Sequence, residues 1–136
     1  MAKFIYRMQN ILDIKRKLEE QEKINYGLAN QKLAEENKKL QDLLVRRAGY
    51  DKQMKEYMTG NIDLRQIRQM RHALNTMKTL IRNQIMQVHA AERNVEIVRK
   101  RLKDVMVERK TQEKLREHAF EEFKQEMNYE ENKAVD

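Results

Sequence analysis

Residues 67–105 read IRQMRHALNTMKTLIRNQIMQVHAAERNVEIVRKRLKDV. Apolar residues recur through this stretch at alternating steps of three and four, in one register. Ile67, Leu74, Ile81, Val88, Val95 and Leu102 form the first series. Met70, Met77, Ala91, Val98 and Val105 form the second, in which Gln84 is the one polar member. A repeat averaging 3.5 residues marks a coiled-coil seam: it keeps a narrow apolar stripe against a second helix. The stretch therefore requires a partner helix along its whole length.

The rest of the 136-residue chain is built for helix. Charged residues make up 38 %, Pro, Cys and Trp are absent, and Gly occurs three times. Turns and loops normally require Gly and Pro. The abundant Ala, Leu, Glu, Lys, Arg, Gln and Met are good helix formers. No run approaches the ~20 apolar residues of a membrane span. The opening Met1-Ala2-Lys3-Phe4-Ile5-Tyr6-Arg7 lacks the apolar core of a signal peptide. Without Cys there is neither a disulfide framework nor a thiolate zinc site. These features predict a cytosolic protein.

The best break in the helix is Thr59-Gly60-Asn61. Gly60 can take the left-handed conformation that ends a helix, Asn61 can cap the next one, and Asp63 falls in its first turn. Gly27 and Gly49 lie inside continuing periodicity, which predicts a weakened or bent helix at each. Before the turn, Tyr26, Leu33, Leu40 and Met54 share one heptad position, interrupted by Arg47. Ala29, Leu43, Tyr50 and Tyr57 share the other, interrupted by Glu36. Upstream, Phe4, Ile5, Met8, Ile11, Leu12 and Leu18 suggest an apolar face whose register slips by one residue before Tyr26. The seam's partner is then the other half of the same chain.

The expected fold is all-α: a long antiparallel two-helix coiled-coil hairpin. Helix 1 covers about residues 3–58, the turn 59–61 and helix 2 about 62–130, followed by an acidic overhang with a frayed end. Each helix would be ~80–100 Å long at 1.5 Å per residue. Pairing outward from Gly60 sets Leu40 near Ile81, Leu33 near Val88 and Ile11 near Arg109. The rival is a parallel dimer of one continuous helix, which the Gly60-Asn61 chemistry opposes.

No catalytic set is visible. His72, His89 and His118 lack a second His at metal-ligand spacing, there is no Gly-rich phosphate loop, and a thin coiled coil offers no pocket for a small substrate. The expectation is a protein that is not an enzyme, with no cofactor, no metal and no small-molecule substrate. Met54, Met70 and Met77 belong to the seam, whereas Leu80, Met106 and Val107 are off it and could dock a partner helix.

The net charge of +7 is unevenly placed. The segment 121–136 has six acidic and two basic residues, a net −4, so the remainder carries +11. A basic body suggests an anionic partner or simply a solvated helix surface. Arg99-Lys100-Arg101-Leu102-Lys103 is the densest basic run. Nucleic acid is an unlikely ligand for it, because the regular heptads precede the run and Leu102 is committed to the seam. From Glu108 to Arg116 the seam turns polar, at Arg109, Gln112 and Arg116, opposite the apolar Met8, Ile11 and Leu12. Either the register shifts to use Leu115, or this end exposes an apolar face. Either way the paired termini are a candidate interaction site.

The same terminal stretches carry a resemblance. Phe4-x-Tyr6-Arg7-Met8-Gln9-x-Ile11-Leu12-Asp13-Ile14-Lys15 resembles the start of the FliJ family of flagellar type III export. Glu108-Arg109-Lys110-x-x-Glu113-Lys114-Leu115-Arg116-Glu117, with Phe120 and Phe123, resembles that family's second block. The resemblance implies a component of the flagellar protein export apparatus, a two-helix coiled coil similar to the central stalk of rotary ATPases. It implies binding in the pore of the hexameric export ATPase, whose assembly and activity it promotes, and contacts with the membrane export gate and with export chaperones. It implies a cytoplasmic location at the inner face of the cell membrane, at the flagellar base. Phe4, Tyr6, Met8, Arg109, Lys110 and Arg116 are the candidate contacts with the ATPase ring. Ala73, Met77, Leu80 and Gln84 are the candidate contacts with the export gate. A structural coiled-coil tether and a helical nucleic-acid binder are the alternatives.

Overall fold

A computed structural model describes residues 2–135. The described residues form two α-helices, α1 (Gln9–Tyr57) and α2 (Leu64–Val135), and no strand. The two pack against each other as an antiparallel coiled-coil hairpin, as the seam required.

The turn follows from its residues. Gly60 has φ of +75°, the left-handed region in which a side chain would be strained. Just before it, Thr59 closes the end of α1 by donating its backbone N–H (3.2 Å) and its hydroxyl (2.9 Å) to the carbonyl of Glu56. The cap of α2 is Asp63 and not Asn61: the Asp63 carboxylate accepts the backbone N–H of Arg65 at 2.9 Å. A carboxylate at this position satisfies an orphan donor and faces the positive end of the helix dipole, which the neutral Asn61 amide does only in part.

Two compact units can be described separately. Residues 27–97 form the first. Ala29, Ile67, Met77, Ile81, Val88 and Ala91 are buried in its seam, and burying each of the four larger side chains contributes about 1.5–3 kcal/mol. The two polar interruptions, Glu36 and Gln84, meet each other. Gln84 Nε2 donates to the Glu36 backbone carbonyl at 2.8 Å and to its carboxylate at 2.6 Å. Lys32 (2.9 Å) and Lys39 (3.6 Å) complete the shell. The Lys32 hydrogen bond, then that of Gln84, lowers the Glu36 carboxyl to a pKa of about 2. Arg47 is exposed at its seam position, and α1 passes through Gly27 and Gly49 without a break.

The second unit joins residues up to 26 to those from 98 onward. Here the expected register slip does not occur. Leu12 and Glu19 are buried and Tyr26 is half-buried, all on one heptad position, and Lys15 and Glu22 are half-buried on the other. The apolar Ile11, Ile14 and Leu18 lie outside the seam and exposed. Charged residues can hold the inner positions because α2 supplies their partners. Lys15 Nζ is 2.7 Å from Glu108, and Arg109 Nε is 2.7 Å from Glu19. Arg109 therefore sits against Glu19, two turns from the Ile11 expected beside it. Leu115 stays 46 % exposed, so α2 does not shift register to use it. The exposed apolar face at this end is the outcome observed.

The termini differ from expectation too. Helix α1 begins at Gln9 and not near residue 3, its first N–H bonded to the Tyr6 carbonyl at 3.1 Å. Residues 2–6 lie outside the helix, where Phe4 has aromatic partners on α2. Helix α2 continues through the acidic segment to Val135, and Asp136, counted in that segment, lies outside the described residues.

Candidate functional site

The stretches 4–15 and 108–123 fall in the same compact unit, and specific contacts join them. Phe4 packs edge-on against Phe120, with ring centroids 5.0 Å apart, and at a tilt against Phe123 at 5.5 Å. The Arg116 guanidinium lies 5.5 Å from the centre of the Phe4 ring, and its Nε donates to Gln9 at 2.9 Å. Phe120 in turn takes the Lys124 ammonium at 4.8 Å. Edge-to-face rings and cations over ring faces are favoured by the aromatic quadrupole. Below this cluster Tyr6 donates its hydroxyl to Gln112 at 3.2 Å. A short non-helical segment is thus fastened to α2 by two aromatic side chains.

Next along the seam comes an ion network. Arg109 forms two parallel bonds to the Glu19 carboxylate, at 2.7 and 3.1 Å, and a third bond to Glu113 at 3.0 Å. Arg16 approaches the other oxygen of Glu113 at 3.4 Å, and Lys23 approaches Glu19 at 3.6 Å. The bidentate fork suits a guanidinium and a carboxylate, and no Lys could reproduce it. The Arg109 hydrogen bond holds the Glu19 carboxyl below its usual range, against the opposing effect of burial. Glu19 and Glu113 together raise Arg109 further above its already high value. In a two-helix structure even a covered group lies close to water, so desolvation is the smaller effect. Oε2 of Glu22 is buried without a partner among the described residues.

Four of the six residues expected to face an ATPase ring thus come together through defined contacts. Phe4, Tyr6 and Arg116 form the clasp, and Arg109 is its seam neighbour. Met8 is 40 % exposed, and Lys110 is exposed. Arg109 is spent on the Glu19 and Glu113 carboxylates, and Phe4, Tyr6 and Arg116 on the clasp, which leaves Lys110 as the exposed cation of the set with no such contact among the described residues. The residues expected to meet an export gate are not alike: Met77 is buried in the seam and Gln84 is bonded to Glu36, whereas Ala73 is half-buried and Leu80 is 41 % exposed. Of that set only Leu80 offers a substantial free surface.

Sequence reasoning missed Glu19, Glu113 and Gln9. Glu19 stands seven residues before Tyr26, so counting one heptad back finds it; the apolar Leu18 beside it drew the register away. His72 and His118 are exposed, and His89 Nδ1 is 3.5 Å from Glu92. No group of three potential metal ligands occurs among the described residues, and no described helix is long and apolar enough to cross a membrane.

Comparison with curated proteins gives no match, and neither does comparison with solved structures. A family model described as "Flagellar FliJ protein" matches residues 4–136, nearly the whole chain and both terminal blocks. The chain belongs to the flagellar FliJ protein family and is a component of flagellar protein export.

Proposed function

We propose that this chain is a non-enzymatic, stalk-like component of the export apparatus that binds the hexameric export ATPase through its paired termini and promotes the assembly and activity of the ring. It acts in the cytoplasm, peripheral to the membrane at the flagellar base, and also contacts the export gate and export chaperones. The observation that carries this reading is that the two blocks with the family's pattern come together in one unit, joined by the Phe4–Phe120–Phe123 cluster and the Tyr6–Gln112 and Arg116–Gln9 bonds. A stalk without chemistry of its own changes a ring's activity only by contacting the states of its subunits differently. Exposed cations at the terminal unit suit that role, because they are free to pair with carboxylates on the ring. Leu80 is the gate-facing residue of choice on the same grounds.

The test reverses Lys110 to Glu and leaves Arg109 and Arg116, which the seam and the clasp need. ATP hydrolysis by the export ATPase is measured with and without each protein. The expected result is loss of stimulation, with binding weakened about tenfold or more, and unchanged helicity. Full stimulation by Lys110→Glu refutes the placement of the ring contact.

A further inference from the structure

The outer stripe of α2 in the terminal unit has a charge pattern that the hairpin does not use. Lys103, Val107, Lys110 and Lys114 follow one another at steps of four, three and four. The stripe continues at the same spacing through Glu117, Glu121, Lys124, Asn128 and Glu131. All nine are exposed, and Val107 is 55 % exposed. The first half is basic and the second is acidic with one Lys. Among the described residues Lys103, Lys110, Lys114, Glu117 and Glu131 form no ion pair; Glu121 has Lys124 at 4.0 Å. A shallow groove with an apolar floor of Leu102, Met106 and Val107, rimmed by Lys103 and Lys110, lies in the basic half.

Helix physics does not account for this order. The macrodipole favours cations, not Glu130 and Glu131, near the end of a helix. Glu122, Phe123 and Glu126 share a groove with Lys3, Phe4 and Arg7, but the acidic stripe residues Glu117, Glu121 and Glu131 do not line it. What a stripe with a basic and an acidic half does fit is its own inverse. When two copies lie antiparallel about a two-fold axis between Lys114 and Glu117, Lys114 meets Glu117, Lys110 meets Glu121 and Lys100 meets Glu131. Val107 meets Lys124, Lys103 meets Asn128, and no like charges are opposed. The symmetry doubles every pair. At 1.5 Å per residue the contact from Lys100 to Glu131 runs about 46 Å, and it covers Val107 and the groove beside it.

We infer that this stripe is an isologous interface through which two copies of the chain associate, α2 against α2, by the basic half of each on the acidic half of the other. The interface is charge-dominated, so it is dynamic and salt-sensitive. It does not depend on the ATPase reading. It also covers Lys110, so a paired copy could not offer that residue to a ring.

The test uses the full chain alone, in sedimentation equilibrium across concentration at low and high salt, with helicity checked by circular dichroism. The wild type should dimerise at low salt and dissociate by about 0.5 M salt, beyond the screening range of such pairs. Lys110→Glu with Lys114→Glu should weaken the dimer roughly tenfold or more, and so should Glu117→Lys with Glu121→Lys. Combining all four substitutions restores opposite halves with inverted polarity and should restore the dimer. Mixing the two double variants should give a heterodimer. A wild type that stays monomeric throughout overturns the inference, including one whose stripe binds only an acidic peptide or a short DNA duplex. So does a four-fold variant that is helical but fails to re-pair.

Discussion

The three glycines should respond to alanine with opposite signs, and the structure says which. Gly27 and Gly49 lie in the interior of α1, and a Cβ built at either meets nothing within 4 Å. Their φ angles are not positive, so alanine needs no backbone change. Replacing Gly by Ala in a helix interior is worth about 0.8–1 kcal/mol, mostly through the entropy that glycine gives the unfolded chain. The sites are about 33 Å apart along the helix, so their effects should add, for a total of about 1–2 kcal/mol. In a chain of this size that raises the melting temperature by about 3–8 °C. Gly60 also has open space around it, but its φ of +75° places a Cβ in a strained conformation. Gly60→Ala should therefore destabilise by about 1–2 kcal/mol. Urea unfolding followed by far-ultraviolet circular dichroism measures all three. Destabilisation by Gly27→Ala or Gly49→Ala would show that the helix needs a local distortion there. A neutral Gly60→Ala would show that the turn does not rely on the left-handed residue. Either result defeats the reasoning.

Acid should loosen both seam carboxylates. Glu36 and Glu19 have folded pKa values below the ordinary 4.5, so each contributes stability that is complete above that value and is lost as pH falls, for Glu36 through about 2. Thermal melts between pH 6 and pH 2 should show a falling midpoint below about 4.5, and Glu36→Gln should flatten part of that slope. In the terminal unit Arg109→Leu alone strands Glu19 in a covered site and should lower the melting temperature. Glu19→Leu with Arg109→Leu should recover it or exceed the wild type, since a matched apolar pair often replaces a covered ion pair without loss. A single variant as stable as the double one would mean that the seam charges are solvated and not paired.

Much of the fold was legible because its signal is long. The 3.5-residue repeat from Ile67 to Val105 fixed the need for a partner helix, and the Gly60 turn supplied it. Even the Glu36–Gln84 contact was within reach. Each residue is the polar interruption of its own series, and pairing outward from Gly60 sets them opposite. The cap was misread because Asn61 and Asp63 are both capping residues two positions apart, and only the path of the turn separates them. The terminal register was misread for a different reason. Hydrophobicity is a one-body signal, and it favours Ile11 and Leu18 over Lys15 and Glu19. What reverses the choice is a pair property, the fit of Arg109 to Glu19 and of Lys15 to Glu108, which neither strand of sequence displays alone. The Phe4 clasp is of the same kind: a short non-helical segment before a helix has no periodicity to read.

Between the buried Leu12 and Ala29, the α1 side of the seam is charged where an ordinary seam is apolar. Its charges face inward, and Ile11, Ile14, Leu18 and Leu115 remain on the surface. An apolar seam would hold two helices together more firmly but would tolerate sliding, because one methyl group packs much like another. A bidentate Arg109–Glu19 pair does not tolerate sliding: a shift of one residue breaks both of its bonds. The arrangement gives up some burial for a defined alignment, and it leaves apolar side chains free on the outside. That combination suits a surface that must present fixed positions to a partner, and it is less suited to a helix pair whose only task is to span a distance. A simple tether would be expected to bury Ile11 and Leu18, and this chain does not.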